Sequence, residues 1–222
     1  ERHKTIHEHF LASFDKLTGV YNRDMFLTTA EAVLKENPAK EFLMICSDIK
    51  NFKLINDEFG KTVGDEILIN IARTLEKYCR HPDVFGRIDN DRFGLLMPKE
   101  YYKEDLFLSQ ISQIPKIKQN ESYPISLYIG IYEIEDINIP VEIMCDRAFL
   151  ALETIKGNRQ NYIAYYDKSL RDIIVSEQNT IGNFELALQQ NQFRIYLQPQ
   201  FTANKELYGA EVLIRWIHPD KG

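Results

Sequence analysis

DVFGRIDNDRFGLLMP, residues 83–98, reads as two short apolar runs, DVFGRI and FGLLMP, that meet at Asp89-Asn90-Asp91-Arg92-Phe93. Two such runs joined at an Asp-Asn pair predict a tight β-hairpin, because Asp and Asn tolerate the left-handed backbone that such a turn demands. Around the hairpin the pattern alternates. EFLMICSDI (41–49) is expected to be a buried strand, and GDEILINIARTLEKYC (64–79) sets Ile67, Leu68, Ile71, Ala72 and Leu75 on one helical face. A polar helix is expected near 102–113, a strand at ISLYIGI (125–131), a helix at VEIMCDRAFLALETIK (141–156) and a closing strand at NYIAYYD (161–167). Strands alternating with helices around one hairpin predict an α/β (α+β) domain on a mixed sheet.

After Asp167 the pattern changes. KSLRDIIVSEQNTIGNFELALQQ (168–190) reads as a long connecting helix interrupted near Gly182, followed by two strands, FRIYLQPQF (193–201) and ELYGAEVLIRW (206–216). The expected organisation is a helical linker at 1–14, a domain at 15–167, the connecting helix at 168–190 and the start of something new at 191–222.

Bulk properties narrow the classes of function. The 222 residues, 44% hydrophobic, suffice for one full domain with sequence to spare. A net charge of -6 argues against polymeric nucleic acid, whose binders concentrate Lys and Arg on one face. Cys46, Cys79 and Cys145 are far apart in apolar stretches, which fits buried thiols in a reducing compartment. No apolar run approaches the ~20 residues that cross a bilayer, and no signal peptide opens the chain. A cytoplasmic location without membrane contact is therefore expected, including as the cytoplasmic part of a membrane-anchored sensor whose upstream sequence precedes Glu1. His3, His7 and His9 fall in a polar N-terminal segment and read as solvated.

The chemistry concentrates in SDIKNFKLINDEFGKTVGD (47–65). Asp48 ends a buried strand, where a carboxylate can hold a metal while the strand fixes its position. The turn that follows offers the N–H groups of Asn51 and Phe52 and the cation of Lys53, all suited to polyphosphate. Asn56 and Asp65 together supply the donor and acceptors that read a purine edge. The alternative is local structure: Asp48 caps its strand, Asn56-Asp57 is a turn, and Asp65 N-caps a helix beginning at Glu66.

Taken together, DKLTGVYNRDMF (15–26), DIKNFKLINDEFG (48–60), VGDEIL (63–68) and RAFLALETIKGNRQNYIAYYD (147–167) resemble a GGDEF domain, the module of bacterial diguanylate cyclases that condense two GTP into cyclic di-GMP. The resemblance implies a nucleotidyl-cyclase or palm-like five-stranded mixed sheet surrounded by helices. It also implies that Asp48, the Ile49 carbonyl and Asp91 bind Mg²⁺, that Asn56 and Asp65 read guanine, and that Lys53 and Lys156 neutralise phosphates. The family's signature is altered here. Asp89 and Asn90 replace its glycines and put two side chains where the nucleotide lies, Asp91 keeps one carboxylate, and Arg92 reverses the charge of the acidic fourth residue. Such a reversal ~5 Å from a divalent ion is worth about 13 kcal/mol at an effective dielectric near 20, before solvent relaxation. A family Arg near the phosphates aligns with Gln160, beside Arg159.

Cyclase activity is therefore expected to be lost and nucleotide binding kept, with Arg92 contacting phosphate. Arg80 and Asp83 stand at the offset of the family's inhibitory site for cyclic di-GMP. YLQPQF (196–201) and GAEVLIRWIHPDKG (209–222) resemble the opening strands of an EAL phosphodiesterase barrel, with Gln198 near substrate and Glu211 as first metal ligand. The remaining ligands of such a barrel are not present, so hydrolysis by this stretch is not expected; an EAL domain of the same chain is the expected partner. The role these resemblances imply is a regulatory module that binds GTP or cyclic di-GMP and controls the adjacent EAL phosphodiesterase, with two alternatives: a weakly active cyclase, which requires a head-to-head homodimer, and a structural or dimerisation module that binds nothing.

Overall fold

In a computed structural model, residues 12–112, 125–157, 162–217 and 219 are described. They form two compact units, 1–167 and 168–222. The expected linker at 1–14, with its three histidines, and the Arg159-Gln160 pair fall largely or wholly outside the described residues.

The first unit is built on β1 (Phe42–Ile49), whose eight residues are all buried. A strand covered on both faces has no reason to alternate polar with apolar, hence the near-continuous run FLMIC. It is the middle of a five-stranded sheet ordered β2-β3-β1-β4-β5, from β2 (Val84–Asp89), β3 (Arg92–Pro98), β4 (Leu127–Glu133) and β5 (Ile163–Tyr165). Both neighbours of β1 run antiparallel to it, and β4 pairs with β5 in parallel. The sheet is thus mixed, as the alternation predicts.

Five helices of this unit are described: α1 (Arg23–Glu36), α2 (Phe52–Phe59), α3 (Lys61–Glu76), α4 (Glu104–Ser112) and α5 (Val141–Glu153). Side chains on β1 sort by parity, as a pleat demands. Leu43 and Ile45 join Ile67, Leu68, Ile71 and Leu75 of α3 and Phe107 of α4 in one cluster. Phe42, Met44 and Cys46 join Phe26, Ala30 and Leu34 of α1 and Met144, Cys145 and Ala148 of α5 in the other. Each fully buried Leu, Ile or Phe contributes about 1.5–3 kcal/mol.

On this second face the strands carry a row of small residues. Register places Gly86 beside Gly94, Gly94 beside Cys46, Cys46 beside Gly130 and Gly130 beside Ala164. The row lets the helices sit close. A Cβ at Gly86 would lie 2.8 Å from the Phe26 Cβ, and one at Gly130 only 1.8 Å from the Ala148 carbonyl oxygen.

Several local expectations are corrected. Asn56-Asp57 is not a turn but lies inside α2, which opens on Asn51 in the left-handed region at φ 57°. α3 begins at Lys61 after Gly60, so Asp65 sits a turn inside the helix and does not cap it. The helix α1, which the periodicity did not single out, starts where the Asn22 side chain accepts the Met25 N–H at 3.0 Å. β4 lies two residues later than expected, and β5 keeps only three residues.

In the second unit α6 (Lys168–Gln189) runs through Gly182 without interruption, and β6 (Phe193–Phe201) pairs antiparallel with β7 (Leu207–Trp216). A Cβ at Gly182 would meet nothing, so the glycine costs only about 1 kcal/mol of helix propensity and no break follows. Phe193 packs 5.4 Å from Trp216, whose indole N–H donates to Gln192 at 2.9 Å. No helix among the described residues is long and apolar enough to cross a membrane.

Candidate functional site

The hairpin of β2 and β3 turns at Asn90, whose φ of 27° is the left-handed geometry its residue type tolerates. Asp89 accepts the Asn90 N–H at 2.9 Å and is exposed, while Phe93 is buried and stacks on Phe85 at 5.7 Å. Neither reaches the cleft described below. The tip is tied down by Arg87, which donates from Nε to the Asn90 carbonyl at 2.8 Å and from Nη1 to Asp15 at 3.0 Å. Asp15 also accepts the N–H and hydroxyl of Thr18, so the DKLTG turn and the hairpin tip share one guanidinium. Burial alone would raise the Asp15 carboxyl, but the hydrogen bonds from Thr18 and Arg87 outweigh it and hold it below its ordinary 3.8. Arg87→Ala is expected to cost about 1–3 kcal/mol in urea unfolding. Because the folded carboxyl is depressed, the part of that difference that runs through Asp15 is full above the ordinary value of 3.8 and is lost as pH falls through the lowered one, while the part from the Asn90 carbonyl does not titrate.

Beside the tip opens a cleft of about 680 Å³ lined by Asp48, Ile49, Lys50, Asn51, Phe52, Lys53, Asn56, Asn90, Asp91, Tyr128, Lys156 and Gly157. The end of β1 supplies Asp48 and Ile49, and the N-terminus of α2 supplies Asn51 to Asn56. A helix N-terminus directs free N–H groups and a partial positive charge at whatever lies before it. Lys50, which is not among the cations expected to meet phosphate, rests 5.5 Å from the Tyr128 ring and 5.6 Å from that of Tyr162. The Tyr128 hydroxyl in turn accepts the Gly157 N–H at 3.3 Å.

Asn56 carries an unusual feature: its Oδ1 is buried and has no hydrogen-bond partner among the described residues. A buried acceptor left unpaired costs about 1–3 kcal/mol unless a ligand satisfies it. The amide fits there only because residue 64 is glycine, since a Cβ at Gly64 would stand 1.9 Å from that oxygen. Asp65 follows on α3 but does not line the cleft.

Arg92 lies differently from expectation. It does not line the cleft and so does not face phosphate there. Its Nε donates to Asp48 Oδ2 at 3.2 Å, its Nη2 to Glu153 at 3.3 Å, and its guanidinium stacks 4.8 Å from the Phe149 ring centre. Lys156 makes the same two contacts, 3.1 Å to Asp48 Oδ2 and 2.7 Å to Glu153. Burial opposes the charge on Lys156, but the bonds to Glu153 and Asp48 prevail and raise its pKa. Burial and the nearby Asp48 charge push Asp91 upward, against main-chain hydrogen bonds and the Arg92 charge.

The donor set expected to hold Mg²⁺ therefore does not fit that ion. Asp48 and Asp91 share the cleft, but Asp48 Oδ2 is already claimed by two cations. Among the described residues no group of three or more His, Cys, Asp or Glu side chains is placed to hold a metal.

A second cleft, of about 540 Å³, lies on the other candidate pair. Arg80 and Asp83 line it with Tyr78, His81 and Tyr101. Asp83 accepts the Arg80 N–H at 2.8 Å, and its other oxygen is buried without a partner among the described residues. Burial raises its pKa. The Arg80 guanidinium is exposed and in no ion pair among the described residues, so the two side chains do not neutralise each other directly. In the second unit Gln198 stands opposite Glu211 in the β6-β7 register, both exposed.

A family model described as "Diguanylate cyclase, GGDEF domain" matches residues 12–162. The biofilm architecture maintenance protein MbaA of Vibrio cholerae is 28% identical over 221 residues, 93% of this chain and 28% of that protein. The bifunctional diguanylate cyclase/cyclic di-GMP phosphodiesterase MucR of Pseudomonas aeruginosa is 27% identical over 96% of this chain and 32% of its own length. The chain thus spans about a third or less of the curated relatives it matches. Among solved structures, the S helix-GGDEF-EAL part of Vibrio cholerae LapD, bound to c-di-GMP, superimposes with a TM-score of 0.59 at 16% identity, over 97% of this chain and 51% of that one.

Proposed function

Since the chain belongs to the GGDEF family of diguanylate cyclase domains, we propose that within cyclic di-GMP signalling it is a regulatory nucleotide-binding module that has lost cyclase activity. The observation that carries this reading is a buried Asn56 Oδ1 with no partner among the described residues, on a side chain that lines a cleft together with Lys50, Lys53 and Lys156. A guanine N–H would satisfy that oxygen, and the three cations with the α2 N-terminus suit the phosphates of GTP. Asp65 on α3 does not line this cleft, so the base would be read here through Asn56 without it. Catalysis is another matter. The carboxylate that would hold the reacting metal is occupied by Arg92 and Lys156, and Asp91 alone remains of the signature's acidic pair.

Residues 168–222 are read as the opening of an EAL domain, in keeping with the bifunctional relative and with the likeness to a GGDEF-EAL structure along nearly the whole chain. In that arrangement the GGDEF part controls the phosphodiesterase that follows, in the cytoplasm. Arg80 and Asp83, facing a cleft of their own, are the place where cyclic di-GMP would act on this module.

Calorimetric titration with GTP tests the reading. Binding is expected for the parent chain and a loss of about tenfold or more for Asn56→Ala, the worth of one satisfied buried hydrogen bond. No heat of binding from GTP would refute it. Incubation with GTP and Mg²⁺ or Mn²⁺ is expected to yield no cyclic di-GMP. Product that disappears in Asp91→Ala would replace this reading with that of a weak cyclase.

A further inference from the structure

We propose that the cation of this site is built into the chain: Arg92, with Lys156, stands against Asp48 in place of a divalent metal, and the cleft therefore takes its nucleotide free of metal. The second half of this statement rests on the nucleotide reading above; the first does not. Two cations converge on a single oxygen, Asp48 Oδ2, at 3.2 and 3.1 Å. Each is then secured a second time by Glu153 Oε1, at 3.3 and 2.7 Å. Asp48 and Glu153 are thereby balanced charge for charge by Arg92 and Lys156, so that of the carboxylates expected to hold the metal only Asp91 stands outside these ion pairs.

Arg92 has a third contact beside its two carboxylates. Its guanidinium lies 4.8 Å from the centre of the Phe149 ring, one helical turn before Glu153, so α5 grips it by both its face and its edge. Arg cannot shed its charge at any pH the fold survives, which distinguishes it from a lysine in the same place. A dication at Asp48 would have to displace or face that fixed positive charge at short range. Lys156 differs from Arg92 in lining the cleft, so it bears on Asp48 and on any bound phosphate at once. Together with Lys50 and Lys53 it supplies from side chains the positive charge that a bound metal otherwise brings to a polyphosphate.

The deciding measurement is the electron paramagnetic resonance signal of free Mn²⁺ titrated into the whole chain without nucleotide. The parent is expected to leave the signal of free Mn²⁺ undiminished, and Arg92→Glu to take up Mn²⁺ at least about tenfold more tightly, a charge reversal beside Asp48 and Asp91. Uptake of one Mn²⁺ by the parent, abolished in Asp48→Asn, would overturn the proposal. Should Arg92→Glu fail to fold by circular dichroism, the parent titration and Arg92→Gln decide it in the same way. In calorimetry, GTP is expected to bind in EDTA at least as tightly as in Mg²⁺; binding that requires Mg²⁺ would overturn the metal-free half. If GTP binds in neither buffer, the nucleotide reading and the metal-free half fall together, while the Mn²⁺ titration still judges the internal cation by itself.

Discussion

Gly130→Ala is expected to destabilise the first unit by about 3–5 kcal/mol. The added methyl would lie 1.8 Å from the Ala148 carbonyl oxygen and 2.8 Å from its carbon. Both are main-chain atoms, so no rotamer change relieves the clash. α5 would have to retreat, yet it buries Val141, Met144, Cys145, Ala148, Ala151 and Leu152. Overpacking at side chains costs about 1–3 kcal/mol, and a main-chain collision lies at or above the top of that range. A loss of about 3–5 kcal/mol would consume much of the 5–15 kcal/mol that typically separates folded from unfolded chains. Urea unfolding followed by circular dichroism reads the effect. Gly209→Ala, where a Cβ meets nothing within 4 Å, is the matched control and is expected to leave the transition in place. A shift of under about 1 kcal/mol at Gly130 would mean that the helix adjusts freely and that the row of small residues does not set its distance.

Gly64→Ala separates binding from stability. Its methyl would collide with Asn56 Oδ1 at 1.9 Å and press the Phe52 ring at 3.2 Å. The first of these atoms is the end of a short side chain that can turn away. Replacing a helical glycine by alanine also gains about 1 kcal/mol of propensity, which offsets the local crowding. Stability is thus expected to hold within about 1 kcal/mol, while GTP affinity falls by about tenfold or more because the reading amide has been turned from its place. Equal GTP affinity for parent and variant would show that Asn56 does not read the base.

The two predictions also mark what was legible from residue order. The hairpin, the buried strand at Phe42–Ile49 and the amphipathic helix through Leu75 follow from periodicity, because their apolar spacing is imposed by burial itself. α2 did not announce itself. It is eight residues long, opens on a left-handed asparagine and has no side-chain cap, so neither length nor capping gives a signal. The cleft residues Asn51, Phe52, Lys53, Asn56, Asp91 and Lys156 were singled out by chemistry and resemblance, and the fold brings them together. The fate of Arg92 was beyond reach. Its partners Asp48 and Glu153 lie 44 and 61 residues away, and nothing in a linear pattern says that α5 offers a ring and a carboxylate to the same guanidinium. In residue order Gly64 is one letter of VGDEIL. Its purpose becomes visible when the space beside Asn56 is measured.

The central position of β1 has a consequence for the order in which the protein is made. Its eight wholly apolar or buried residues end at Ile49, but its two sheet neighbours end only at Pro98 and Glu133. At a synthesis rate of about 5–20 residues per second, the β4 side of this strand waits roughly 4–17 s for its partner to emerge. During that interval the most adhesive segment of the chain has an open flank, shielded by whatever α2 and α3 can collapse over it. Slowed translation between residues 50 and 133 would therefore harm the yield of native protein more than the same delay after residue 167, when the sheet is complete.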